Sequence, residues 1–147
     1  MSATVHPAHP MQVGLSRALT GAVAGLGGGI VFGVLMAATG MLPMIAMLVG
    51  AGGAGVGVVV HLAISVILGA GFGLIAPSTR FWPLLAAGVA YGVLWWVLGG
   101  LLLMPAALGM PVLQLGATAM QSLMGHLIYG IVTAAVLFAL RRRTAHA

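Results

Sequence analysis

Between Arg17 and Arg141 a single charged side chain, Arg80, interrupts the sequence. No Asp or Glu occurs in the 147 residues, and the five basic residues are all arginine. A soluble domain carries roughly 25% charged residues and covers its surface with them. Here charged residues make up 3% and hydrophobic ones 62%, so the chain cannot assemble a water-facing surface and folds in lipid. At roughly 20 residues per span plus connections, the length accommodates a bundle of four helices. The apolar runs are continuous rather than alternating, and glycines recur at every fourth position, which selects helices over a transmembrane β-barrel.

The missing residue types exclude most chemistry. Without carboxylates there is no glycosidase pair, two-metal phosphoryl-transfer site, calcium or magnesium cage, or Asp/Glu proton relay. Without cysteine there is no thiolate nucleophile, disulfide or Fe–S cluster. Histidine, methionine, hydroxyls, aromatic rings and backbone remain, and no catalytic reaction is assigned. A high pI raises nucleic-acid binding, but arginines this few, set beside apolar spans, read as membrane-orientation signals.

Helices are expected over 18–40, 56–76, 82–104 and 117–140. The first places Gly21, Gly25, Gly29 and Gly33 on one face; such a file lets backbones approach in lipid, or leaves room for a flat ligand. The second aligns Gly57, His61, Ser65, Gly69 and Gly73. The third opens on Trp82 and Pro83, an interface anchor and a first-turn proline, and aligns Gly88, Gly92, Trp96 and Gly100. The fourth aligns Thr118, Ser122, His126, Gly130 and Ala134. Residues 1–17 read as a tail, in which His6 and His9 form at most a weak metal pair, and 141–147 as a basic tail. The first apolar run reads as an uncleaved span rather than a signal peptide. The connections after each odd-numbered span are apolar, so they are expected to lie in the interface or fold back over the bundle, and oligomerisation or membership of a membrane complex is expected.

The two halves match. GGIVFGVLMAATGML aligns without gaps on AGVAYGVLWWVLGGL, with Gly29 on Gly88, Gly33 on Gly92 and Phe32 on Tyr91, and His61-Leu62 then corresponds to His126-Leu127. This predicts two tandem parallel two-helix repeats related by an axis along the membrane normal. All arginines fall at one end of a four-span bundle, which places both termini in the cytoplasm of a multi-pass, inner-membrane-type protein. Counted from Pro77 and Arg141 at 1.5 Å per residue, both intramembrane histidines lie ~23 Å above that boundary.

A histidine at this depth is a functional hypothesis by default. Four readings are open. His61 and His126 can join helices in a non-catalytic subunit, bonding to serines such as Ser65 or Ser122. They can hold a b-type haem as axial ligands, with Gly29, Gly33, Gly88 and Gly92 admitting the porphyrin beside Trp96. In that layout, histidines on two helices and glycines on the others, the chain is similar to the four-helix core of cytochrome b proteins. They can bind a soft metal, Cu(I) above others, with Met44 and Met124 among the methionines gathered on the same side. Finally, they can titrate along a path for a small solute, although no polar path continues below Ser65 and Thr133. Binding between His61 and His126, with haem ahead of copper, is the expected function.

Overall fold

Proline suits the first turn of a helix, where its missing N–H has no partner to lose, and the first helix begins on one. The computed structural model describes residues 10–76 and 79–145, with α1 spanning Pro10–Ala38. Residues 10–17, expected as tail, are therefore helical. No breaker stronger than Gly14 separates Pro10 from Arg17, and Met11, Val13, Leu15 and Leu19 present exposed apolar side chains. His6 and His9 lie outside the described residues.

After α1 the chain turns into α2 (Leu42–Ala46) and a 3-10 turn, Met47–Val49, that ends at Gly50 in the left-handed region, φ 70°. Leu42, Ile45 and Ala46 are buried, with α2 packed on the start of α3 (Ala54–Ile75). A Cβ at Gly57 would fall on the Leu42 carbonyl. The first apolar connection thus folds back over the bundle. The next span starts as α4 (Phe81–Trp95), passes through a π-helical stretch, Trp96–Leu103, and ends as α5 (Met104–Ala107). The second connection stays exposed, and α6 (Ala117–Ala145) completes the chain. Arg141–Arg143, expected in a tail, form the last turns of α6, where positive charge favours the helix dipole. Four helices are long and apolar enough to cross a membrane, and there are no strands among the described residues.

Three seams of this bundle are tight: α1 with α3, α1 with α6, and α4 with α6. Glycine explains each. A Cβ at Gly25 would strike the Ser65 carbonyl and Gly69 Cα, and one at Gly88 would strike the Gly130 carbonyl. Such backbone contact replaces the hydrophobic drive that lipid cannot supply. At the α1/α6 seam a Cβ at Gly28 would strike the Thr133 hydroxyl. That hydroxyl is buried beside the Tyr129 phenol, with no well-formed hydrogen bond among the described residues. Thr133→Val keeps the branched shape and deletes the orphan, so thermal unfolding in detergent should show unchanged stability or a gain of about 1 kcal/mol. A clear loss would mean the hydroxyl is bonded.

The fourth seam is different. Helices α3 and α4 barely touch, apart from one bridge: the Tyr91 hydroxyl donates to the Leu68 carbonyl (2.8 Å), and its ring lies 5.0 Å from that of Phe72.

A histidine-floored cavity

Tyr91 divides the α3/α4 seam into two openings. On the side away from the arginines, the seam widens into a cavity of about 520 Å³. Its depth is set by two histidines whose rings are held by backbone. His61, on α3, donates from Nε2 to the Gly29 carbonyl of α1 (2.9 Å). A carbonyl can only accept, so Nε2 carries the proton and the lone pair sits on Nδ1. His126, on α6, donates from Nδ1 to the Ser122 carbonyl (2.7 Å), which leaves its lone pair on Nε2. Each neutral imidazole therefore keeps one nitrogen for an incoming donor or metal.

Between them stands Phe32 of α1. Its ring centroid is 5.2 Å from His61 and 5.0 Å from His126, edge-on to both. Both imidazoles thus lie at one level, and what they share is a phenyl ring. Phe32 fits there because Gly125 has no side chain: a Cβ at Gly125 would overlap the ring. Beside it, the Tyr129 hydroxyl donates to the Ser65 carbonyl (2.7 Å), tying α6 to α3 across the bundle. The Ser65 hydroxyl donates to the His61 carbonyl (2.8 Å). Phe32 and Tyr129 are both buried at the bottom of the cavity.

The walls are apolar. Met36, Met41, Met44, Met104 and Met110 line them, together with Trp95 and the glycines of the π-helical stretch. Stretches of π-helix inside membrane helices recur at functional sites, because the wider turn displaces backbone and side chains from the usual register. At the mouth, Gln114 and Thr118 add polar groups.

Of the residues singled out from sequence, His61, His126, Ser65, Ser122 and Met44 line this cavity. Gly29, Gly33, Gly88, Gly92, Trp96 and Met124 are not among its lining residues. Gly29 packs on the Ser65 side chain, Gly33 on the His61 ring, Gly88 on Gly130 and Gly92 on the His126 carbonyl. The Trp96 indole donates to the Ala119 carbonyl of α6 (2.9 Å). Met124 is exposed on the outer surface of α6. Gly29, Gly33, Gly88 and Gly92 are therefore occupied by neighbouring helices, whereas Gly100, at the end of the α4 file, borders the open volume. Phe32, Gly125, Tyr129 and Trp95 escaped the sequence reading. The pairing of Phe32 with Tyr91 between the halves was the one signal available for the first.

Among the described residues no three His, Cys, Asp or Glu side chains gather as a metal set, so a metal here would need thioether ligands. Comparison with protein-family models, with curated proteins and with solved structures finds no match.

Proposed function

We propose that this small integral membrane protein binds a largely apolar molecule in the histidine-floored cavity, and that haem b is the ligand its imidazoles suit best. The observation that carries this reading is the pair of neutral imidazoles at one level. Each has one nitrogen committed to a backbone carbonyl and one lone pair left, beneath an apolar chamber of about 520 Å³. That volume falls in the range of small-molecule sites, roughly 300–1,000 Å³. Histidine is a common axial ligand of haem iron. Phe32 lies between the rings, so either His61 or His126 would hold the group, supplying one imidazole lone pair to its iron. The open α3/α4 seam favours entry from the lipid. The reading is one of binding rather than catalysis.

The methionine wall supports a second reading, a soft metal such as Cu(I) held by thioether and imidazole. The same account takes the two hairpins as copies of one unit, with the cavity on the axis between them. In its favour, Gly33 packs on His61 while the corresponding Gly92 packs on His126, and Gly29 on Ser65 while Gly88 packs on Gly130. It also places the arginine end in the cytoplasm, following the positive-inside rule.

The absorption spectrum of the detergent-purified protein, before and after haemin addition, tests the first reading. A Soret band should form in the wild type and disappear in the His61→Ala, His126→Ala double variant. A preparation that stays colourless with haemin overturns the haem assignment. Elemental analysis after Cu(I) exposure then decides the second: retained copper that His126→Ala and Met44→Leu release supports it, and no retained copper removes it.

A further inference from the structure

The α3/α4 seam has a second opening, beside Tyr91 and reaching toward the arginine end. It is a groove of about 270 Å³, lined by Phe72, Ile75 and Ala76 of α3 and by Ala87, Ala90 and Leu94 of α4. Its lower end is the last turn of α3, and two guanidiniums converge there. Arg17 of α1 donates to the Ala76 carbonyl (3.3 Å), and Arg141 of α6 donates to the Gly73 carbonyl (3.0 Å). A helix C-terminus offers them about half a negative charge. Arginines needed only for orientation can point anywhere into water. These two reach from different helices onto a single turn and bring two positive charges together there. The planar guanidinium fork matches phosphate oxygens.

We propose that the groove and the Arg17/Arg141 pair form a site for an anionic phospholipid. The phosphate lies on the two guanidiniums, and an acyl chain runs up the groove past Ala90 and Leu94. A lipid, rather than a free anion, is indicated by continuity: Ala76 lines the groove and its carbonyl holds Arg17. The assignment does not depend on what the histidine-floored cavity binds.

Thermal unfolding of the full chain in detergent, with phosphatidylglycerol, phosphatidylcholine or inorganic phosphate at equal ionic strength, tests it. Phosphatidylglycerol should raise the unfolding midpoint, and the other two should leave it in place. Arg17→Gln with Arg141→Gln should weaken the apparent phosphatidylglycerol affinity by about fivefold for each guanidinium removed, while Arg143→Gln, at an exposed position away from the groove lining, changes it less. Ala90→Trp, at an exposed groove position, should leave the lipid-free midpoint unchanged and shrink the lipid-induced shift. An equal response to phosphatidylcholine would reduce the site to apolar contact, an equal response to phosphate would make it a free-anion site, and an undiminished response in the double arginine variant would remove it. Should that variant fail to fold, the three-additive comparison and Ala90→Trp decide the matter alone.

Discussion

Gly69→Leu should leave almost no folded protein to purify. Gly69 faces Gly25 Cα and the Gly21 carbonyl across the α1/α3 seam, close enough that any Cβ overlaps backbone. In a soluble core an oversized residue costs about 1–3 kcal/mol because neighbouring side chains change rotamer. Here the obstacle is backbone, which has no rotamer to change, so the helices must separate along their length. With them go the His61–Gly29 and Arg17–Ala76 hydrogen bonds. Folded domains are stable by only about 5–15 kcal/mol in total, and a lost seam consumes much of that. Size-exclusion chromatography of the expressed variant should recover less than about a tenth of the wild-type monodisperse peak if roughly 1.4 kcal/mol or more of net stability is lost at a marginal threshold. Gly55→Leu is the control, since a Cβ there meets nothing within 4 Å. Equal recovery of both variants would mean that the α1 and α3 backbones are not in contact.

Gly99→Phe should do the opposite, sparing the fold and removing the ligand. Gly99 lines the cavity, and a Cβ there meets nothing nearer than the Trp95 ring at 4.0 Å. The substitution relieves a glycine in a helical segment, worth about 1 kcal/mol, and its ring packs on methionine and indole. Stability should hold or rise. The same ring occupies the space a ligand needs, so affinity for whichever ligand the spectra identify should fall at least about 100-fold, some 2.7 kcal/mol. His126→Ala separates the two contributions: it removes an imidazole nitrogen while leaving the chamber empty. A Gly99→Phe protein that unfolds early, or binds like the wild type, would show that this face of the π-helical stretch does not border the binding volume.

What the sequence disclosed and what it hid have physical causes. Four spans, the shared face of each glycine file and the common level of His61 and His126 follow from hydropathy and from the helical repeat. The partner of each face does not. Gly88, Gly92, Trp96 and Gly100 do share a face, and it meets α6: a Cβ at Gly100 would lie 3.1 Å from the Ser122 hydroxyl. A small face invites a neighbouring helix as readily as a ligand, and helix packing claimed Gly88 and Gly92, while Gly100 also borders the cavity. The cavity opens where helix packing leaves off, at the seam between α3 and α4, which barely touch. Phe32 was hidden for a related reason, because its place depends on an absent side chain at Gly125, far away in sequence. Helix ends were also displaced. Arg17 and Arg141–Arg143 marked where charge begins, whereas α1 and α6 continue through them. Charge locates the membrane boundary, and helices do not stop there unless something breaks them.

Native mass spectrometry of the protein extracted from membranes tests the central claim most directly, that the chamber above His61 and His126 holds a bound molecule. The account predicts a small-molecule or metal adduct on the wild type that is retained in Ala90→Trp and absent from Gly99→Phe and His126→Ala. An identical mass increment in all four proteins, or none in the wild type, would contradict it.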